Sequence, residues 1–267
     1  MENSDIKIIK DLSYSSQPLE KLDLYLPESC QDRETVLISL HGGSWSMGDK
    51  ADYEKQTLEF AKRLRLPCVN MNYVMPCDES AFDGMIADVE SAMIFVKSYC
   101  RRFDLDIKRC ILRGFSAGAH IALCYACLKC ETSPLKICFC IGESLPGDLT
   151  FAPQGKASSF VYRGMSNITG HRINSHNRDI YIPQLEKVSP KKLVSSKTPP
   201  VLMLHGEQDY IIGYPVAVEM LESLKKTGVP CELVTFPDSG HSLDKNPELV
   251  DFYFDRVHEF YKSYAAI

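Results

Sequence analysis

The sequence has no long apolar run. None of its apolar stretches reaches the roughly 18 to 20 residues that a helix needs to span a bilayer. The N-terminus, Met-Glu-Asn-Ser-Asp, lacks the positive region and following apolar region of a secretory signal. These absences argue against membrane insertion and export, so we expect a cytoplasmic protein that does not bind a membrane.

Clustered positive charge is also scarce. The 30 Lys and Arg residues are outnumbered by 35 Asp and Glu residues, and the net charge is -5. The nearest approach to a basic run is the pair Lys191 and Lys192. Because nucleic-acid binding depends on many clustered basic side chains, this charge balance argues against a nucleic-acid partner. We expect a small-molecule substrate, and a homodimer is one assembly that the sequence leaves open.

Cysteine is abundant, with 11 residues, and it raises the alternatives of a metal site or disulfides. Cys124, Cys127 and Cys130 lie three apart on one side of a predicted helix, but a tetrahedral metal site would need further ligands from elsewhere. An odd cysteine count without an export signal indicates reduced thiols. We therefore expect these residues to be small buried hydrophobes, and we expect neither a metal nor another cofactor.

Short apolar runs, each ended by Gly, Pro or polar residues, recur along the whole chain. This pattern is typical of strands buried in a parallel sheet. The second run alternates Leu22, Leu24 and Leu26 with polar residues, so we expect it to be half exposed. The first two runs are too close for a parallel crossover and should pair antiparallel. The eight predicted strands are 6–10, 21–26, 35–40, 68–73, 110–113, 137–141, 201–204 and 231–236.

Helical patterns lie between these strands, for example the apolar residues at three- and four-residue intervals in 82–96. Strand followed by helix, repeated, predicts an α/β fold whose mostly parallel eight-stranded sheet is covered on both faces. We expect one domain over 1–267. The segment 146–193 shows no clear period, and we interpret it as a lid or cap over the active site with short helices inside it.

The sharpest motif is G-F-S-A-G at 114–118, directly after an apolar run. It fits the G-x-S-x-G turn between a strand and a helix, which lifts a serine hydroxyl clear of the sheet. Ser116 is therefore the candidate nucleophile. The helix that follows would direct backbone N-H groups, including that of Ala117, towards an anion forming near the serine.

A serine nucleophile needs a base and an acid, and both candidates follow predicted strands. His241 comes after the last strand, a position that the other six histidines lack. Asp209 comes after the penultimate strand and is favoured as the acid over its close competitors Glu207 and Asp238. The chain order of serine, acid and histidine is the order of α/β-hydrolases.

A fourth motif, H-G-G-S-W at 41–45, follows the third strand. Successive glycines let the backbone turn its N-H groups towards a developing oxyanion. We predict an oxyanion hole formed by the N-H groups of Gly43, Ser44 and Ala117. Trp45 and Glu143 are candidate substrate-binding residues, although packing under the oxyanion loop is the favoured role of Trp45.

With these four motifs the chain resembles carboxylesterase-type α/β-hydrolases, the group that includes kynurenine formamidase-like and feruloyl or acetyl esterase-like enzymes. The resemblance covers nearly the whole chain. It implies an eight-stranded fold with a lid after the sixth strand, no metal, and short or aromatic acyl substrates. Ser44 stands where hormone-sensitive-lipase-like relatives have a third glycine, which argues against close kinship with those lipases.

The sequence therefore predicts a serine hydrolase that cleaves carboxylic esters of small acyl or aromatic compounds through an acyl-enzyme. One alternative is an arylformamidase or another amide-type acyl hydrolase, because the H-G-G-x-W motif also occurs in formamidases. A less favoured alternative is a small-molecule-binding relative that has lost catalysis, since such proteins usually lack one triad member.

Overall fold

The computed structural model describes residues 5–75, 78–153 and 158–266. Within them, one sheet contains strands β1 (Ile6–Ser13), β2 (Lys21–Pro27), β3 (Thr35–Leu40), β4 (Cys68–Met71), β5 (Arg109–Phe115), β6 (Lys136–Glu143), β7 (Val201–Gly206) and β8 (Cys231–Phe236). The α-helices are α1 (Glu54–Leu64), α2 (Ala81–Tyr99), α3 (Ala117–Lys129), α4 (Ser158–Thr169), α5 (Ile182–Lys187), α6 (Pro190–Leu193), α7 (Tyr214–Lys226) and α8 (Leu249–Tyr264). Three 3₁₀ turns cover Lys50–Tyr53, Cys100–Phe103 and Arg178–Tyr181.

The strand order across the sheet is β1-β2-β4-β3-β5-β6-β7-β8. The β1–β2 and β2–β4 pairs are antiparallel, and every other neighbouring pair is parallel. The predicted α/β fold, its eight strands and the antiparallel first pair are therefore confirmed. Because β3 and β5 to β8 are parallel, the loops that follow them emerge at one edge of the sheet, where ligands bind in such folds.

The prediction that β2 is half exposed is wrong. All of its residues after Lys21 are buried, because Leu22, Leu24 and Leu26 pack into an apolar cluster on one face of the sheet and Tyr25 packs into a cluster on the other. Its one carboxylate, Asp23, is compensated by the buried Lys50 ammonium at 2.8 Å and also accepts a hydrogen bond from the Asp11 backbone N-H. A polar residue at an alternate strand position can thus be buried when a charged partner reaches it.

Two apolar clusters cover the two faces of the sheet. Helices α2, α3 and α7 contribute Val89, Ile121 and Met220 to the first cluster. Helices α1 and α8 contribute Phe60 and Val257 to the second. Side chains on both faces of the central strands are consequently buried, which explains why the sequences of those strands are continuous apolar runs.

The segment predicted as a lid contains α4, α5 and α6, separated by loops, and residues 154–157 lie outside the described part. Helix α4 packs against α2, and α6 packs between α3 and α7. The described part of the chain has no His, Cys, Asp and Glu cluster that could hold a metal ion. Among the described helices, none is long and apolar enough to cross a bilayer. Cys124 is buried on α3, and Cys127 and Cys130 are half-buried.

The close approach of α3 to the end of β3 requires glycine at position 118. A Cβ atom there would overlap with the carbonyl oxygens of Leu40 and His41. We expect Gly118→Ala to lower the free energy of unfolding by about 3 kcal/mol, because backbone must move to relieve the overlap. Chemical denaturation measures this change.

Gly213→Ala is the matched control. Its backbone φ of -54° suits any residue, and a Cβ atom there would make only an ordinary contact with Pro215. We expect it to change the free energy of unfolding by less than about 1 kcal/mol. Equal effects of the two substitutions would contradict the steric argument.

Candidate active site

Ser116 occupies the tight turn between β5 and α3. Its φ of 51° and ψ of -118° lie in a region that non-glycine residues rarely adopt. The turn is held by a hydrogen bond of 2.8 Å from the Ser116 backbone N-H to the Glu143 carbonyl oxygen on β6. It also requires Gly114, where a Cβ atom would overlap with the Gly118 backbone. This is the strained, exposed-hydroxyl geometry expected of the motif.

The structure brings the three predicted catalytic side chains together. The Ser116 Oγ atom lies 2.9 Å from His241 Nε2, and His241 Nδ1 lies 2.7 Å from Asp209 Oδ2. Because a carboxylate only accepts hydrogen bonds, His241 Nδ1 carries a proton and Nε2 is free to accept the hydroxyl proton. The competing acids Glu207 and Asp238 are exposed, and the Asp238 carboxylate accepts a hydrogen bond from Asn246.

Asp209 is held as a carboxylate in a buried position. Burial alone would raise its pKa, but the hydrogen bonds from His205, His241 and the Ile212 backbone N-H hold the pKa well below its usual range. The backbone N-H groups of Ile211 and Ile212 donate to its Oδ1 atom at 2.8 and 2.9 Å. These bonds fix the carboxylate and favour its ionised form.

His205 is the residue of this site that the sequence analysis did not assign. Its Nε2 atom lies 3.3 Å from Asp209 Oδ2 and 2.8 Å from the Ile212 carbonyl oxygen. Both partners are acceptors, so Nε2 carries a proton and donates. Its position four residues before Asp209, at the end of β7, is the signal that could have indicated this contact.

The loop after β3 lies beside the N-terminus of α3, which begins at Ala117. Gly43, Ser44 and Trp45 all have positive φ, at 125°, 51° and 59°, so the loop turns sharply next to Ser116. Asn167 on α4 donates to the Ser44 carbonyl oxygen at 3.1 Å and to the Ser46 hydroxyl at 2.7 Å. Helix α4 therefore fixes the loop from the lid side.

Trp45 packs beneath the loop after β3, the role favoured for it, while substrate binding by Trp45 stays a prediction. Its indole N-H donates to His120 Nδ1 at 3.2 Å, and its ring lies edge-on to the imidazole. His120 Nε2 lies 2.6 Å from the Val188 carbonyl oxygen, an acceptor, so the neutral tautomer carries its proton on Nε2. Trp45 also lines the small cavity beside Ser116.

Glu143 does not reach that cavity. Its two carboxylate oxygens accept hydrogen bonds from Arg113 Nε and Nη2 at 2.8 and 2.6 Å, and the Tyr253 hydroxyl donates to it at 3.0 Å. Within the described residues, the predicted contact of Glu143 with a substrate at Ser116 therefore has no geometric support. Its side chain instead ties β6 to β5 beneath the turn at Ser116.

The cavity beside Ser116 is small. Its volume is about 20 Å³, which is little more than the space of one water molecule. The walls combine the loop after β3 with the segment 146–193 and the loop after β7, through Ser44, Trp45, Pro146, Leu149, Phe160, Val161, Gly164, Met165, Ile211 and Ile212. The segment 146–193, predicted as a lid, thus borders the space next to the serine hydroxyl.

The sheet topology, the turn at Ser116 and the adjoining His241 and Asp209 define an α/β-hydrolase of the carboxylesterase type. The BD-FAE family model matches residues 22–224, and the chain belongs to that family. Among curated proteins, it is 28% identical over 255 residues to isoprenylcysteine alpha-carbonyl methylesterase ICME of Arabidopsis thaliana, which covers 88% of this chain and 57% of that protein. It is 26% identical over 227 residues to esterase LipQ of Mycobacterium tuberculosis, covering 79% and 51%.

The chain thus spans about half the length of these curated relatives. Among solved structures, esterase B from Lactobacillus rhamnosis superposes with a TM-score of 0.76 at 17% identity, covering 96% of this chain and 85% of that one. A bacterial heroin esterase superposes with a TM-score of 0.74 at 16% identity, covering 98% and 84%. At these identities the superpositions establish the shared fold.

The buried His120 makes a testable contribution to stability. Burial lowers its pKa to about 4, although the bond to Val188 opposes the shift. The unfolded chain has a histidine pKa of about 6.5, so between about pH 6.5 and 4 only the unfolded state gains the proton. His120 therefore removes stability as the pH falls through this window. We expect a loss of about 2 kcal/mol from pH 7 to 4.5.

The measurement compares wild type with His120→Gln, whose amide can keep both hydrogen bonds without titrating. Denaturation curves at several pH values should show the wild type losing about 2 kcal/mol more than the variant between pH 7 and 4.5. Other titrating groups are common to both proteins and cancel in the difference. Parallel pH profiles would contradict the assignment of a neutral buried imidazole.

Proposed function

We propose that the protein hydrolyses carboxylic esters with Ser116 as nucleophile, His241 as general base and acid, and Asp209 as the acid that orients His241. The observation that carries this proposal is the continuous hydrogen-bonded chain from the Ser116 hydroxyl, at 2.9 Å, through the imidazole to the Asp209 carboxylate, at 2.7 Å. The esterase and methylesterase names of the relatives support the same chemistry.

In the first half-reaction, His241 Nε2 accepts the Ser116 hydroxyl proton while Oγ bonds to the ester carbonyl carbon. The imidazolium that forms faces the Asp209 carboxylate, whose lowered pKa keeps it negative throughout. The tetrahedral intermediate then collapses, the carbon-oxygen bond to the alcohol breaks, and the alcohol leaves with the proton from His241. Water repeats the sequence on the acyl-enzyme and releases the acid.

The negative oxygen of the tetrahedral intermediate rests on the backbone N-H groups of Gly43, Ser44 and Ala117 in this proposal. Two observations support it. The loop of Gly43 and Ser44 turns beside Ser116, and Ala117 is the first residue of α3, where helix N-H groups have no internal partner. Each such donor typically contributes about a hundred- to a thousandfold in rate.

The size of the cavity beside Ser116 favours esters with a short acyl group. A volume of about 20 Å³ accommodates an acetyl methyl group but not a long chain. The same space accepts a formyl group, so an arylformamidase is the second candidate. The name of one relative, isoprenylcysteine alpha-carbonyl methylesterase, describes an ester whose small group is the alcohol, so it supports ester hydrolysis here but not the acyl size.

The single-domain organisation over 1–267, with 146–193 as its lid, is part of this proposal. Its support is that α4 packs on α2, that α6 packs on α3 and α7, and that α4 lines the cavity beside Ser116. The cytoplasmic location and the homodimer stay predictions.

Ser116→Ala should lose at least about 10⁴-fold in kcat/KM on p-nitrophenyl acetate, because the nucleophilic oxygen is removed. The variant should keep the wild-type circular dichroism spectrum and should not react with a fluorophosphonate probe. Comparable turnover of N-formylkynurenine and short esters by the wild type would favour the formamidase candidate, and turnover by the variant would refute the nucleophile.

Asp209→Asn tests the acid, with Asp238→Asn as its matched control. The first substitution should lower kcat by about 10⁴-fold, because the amide no longer stabilises the imidazolium. The second changes an exposed carboxylate outside the hydrogen-bonded chain and should change kcat by less than about threefold. Equal losses in the two variants would contradict the choice of Asp209.

The acyl-size limit is tested with Val161→Ala, which enlarges the cavity wall on α4. We expect the ratio of kcat/KM for p-nitrophenyl butanoate to that for the acetate to rise about tenfold, since added methylenes now fit. Val216→Ala removes the same atoms from a buried position on α7 away from the cavity, and should leave the ratio unchanged. An unchanged ratio in Val161→Ala would place the acyl group elsewhere.

A further inference from the structure

A second and much larger cavity lies between α1, α8 and the ends of the central strands. Its volume is about 750 Å³, within the range of small-molecule pockets in proteins. Its walls are mainly apolar and include Phe60, Leu204, Phe236, Val250 and Phe254. Such a combination of size and apolar lining is the general property of ligand sites.

This cavity is distinct from the one beside Ser116. Among the described residues it shares no lining residue with the small cavity, and neither Ser116 nor His241 lines it, although its wall includes Gly43 of the proposed oxyanion hole and Ser242, the residue after His241. Phe115 lines the large cavity, and its ring packs edge-on against the His241 imidazole with the ring centres 5.1 Å apart. The Phe115 ring therefore lies between the large cavity and the proposed catalytic base.

Arg113 supplies a polar anchor in the wall. Its side chain is 2% exposed, and its Nε and Nη2 atoms donate hydrogen bonds to Glu143. Its Nη1 atom has no hydrogen-bond partner among the described residues. Buried donors without an acceptor are rare in folded proteins and indicate a group that a bound molecule can satisfy.

Two rings of the same cavity lie against the Arg113 guanidinium. The centres of the Phe60 and Tyr53 rings are 5.0 and 5.6 Å from its central carbon. Nη1 is itself almost without exposed surface, so a small rotation of one of these rings is needed to open it to an acceptor. A flat aromatic molecule in the cavity can pack on the same rings and bring its acceptor to Nη1.

The charges around the cavity select against an anion. The Glu143 carboxylate already compensates Arg113, and three further carboxylates, those of Asp52, Glu59 and Asp244, belong to the lining. Glu59 is paired with Arg63, whereas Asp52 and Asp244 are exposed. A carboxylate or phosphate ligand would meet net negative charge here, and a neutral oxygen acceptor would not.

We propose that the cavity between α1 and α8 is a binding site for an uncharged, mainly aromatic small molecule whose carbonyl oxygen accepts a hydrogen bond from Arg113 Nη1. The site goes beyond the proposed ester hydrolysis, since it lies on the other side of Phe115 from His241. A bound molecule would contact the Phe115 ring and so reach the neighbourhood of the base without occupying the acyl cavity.

The probe for this site is prodan, a neutral naphthalene with a propanoyl ketone whose emission shifts to the blue in apolar surroundings. We expect saturable binding and a blue shift with wild type. The analogue in which a propyl group replaces the propanoyl group should bind about tenfold more weakly, because it lacks the acceptor for Nη1. A naphthoate analogue should also bind more weakly than the ketone.

The location is tested with Val250→Trp, which places an indole in the cavity wall, and with Phe252→Trp as control. Phe252 is exposed on the same turn of α8 but does not line the cavity. The first variant should weaken prodan binding at least about tenfold and the second should not. Wild type phosphonylated at Ser116 should bind prodan as well as the untreated protein.

Absence of saturable binding, or equal binding by both tryptophan variants, would overturn the site. Equal binding of the ketone and its propyl analogue would overturn the role of Arg113. Loss of prodan binding on phosphonylation would place the probe in the catalytic cavity instead. Ester turnover is measured separately on p-nitrophenyl acetate. Absence of prodan binding would therefore not contradict the proposed ester hydrolysis, and absence of ester turnover would not contradict the proposed binding site.

Discussion

The arrangement around Ser116 depends on a buried ion pair between neighbouring strands. Arg113 on β5 and Glu143 on β6 share two hydrogen bonds beneath the turn, and the Glu143 carbonyl oxygen holds the Ser116 backbone N-H above it. Burying two charges is costly, so such a pair contributes more to geometry than to net stability. Here it joins two strands at the point where the chain must adopt a strained turn, and the serine hydroxyl takes its direction from that junction.

The parallel part of the sheet explains how residues distant in sequence reach this hydroxyl. Strands β3, β5, β7 and β8 all end at the same edge, and each is followed by a loop that supplies one component of the site. Asp209 and His241 follow β7 and β8, which are neighbours, so their hydrogen bond of 2.7 Å needs only short loops. His205 and two backbone N-H groups then complete the surroundings of the Asp209 carboxylate without any contribution from distant helices.

The strands and the turn at Ser116 could be predicted from the sequence, because each depends on residues that are close together in the chain. Each strand is a short apolar run, and the loop of Ser116 has a steric signature of its own. The burial of polar side chains could not be predicted in this way, because it depends on ion pairs between residues that meet only after folding. Asp23 looks exposed until Lys50, 27 residues later, is brought against it, and Glu143 looks available for a substrate until strand register places it beside Arg113. The cavity between α1 and α8 is a gap between elements, and no local pattern encodes it.

In the proposed hydrolase, the segment 146–193 links the size of the acyl cavity to the geometry of the proposed oxyanion hole. Asn167 on α4 bonds the backbone of the loop that contains Ser44, and Val188, beyond α5, bonds His120, which in turn holds Trp45. The same segment supplies most of the wall of the small cavity. A shift of α4 that enlarged the cavity would therefore move the loop that carries the proposed oxyanion donors. Because such donors act only when placed within a few tenths of an ångström, larger acyl groups would be accepted at the expense of the rate of the chemical step.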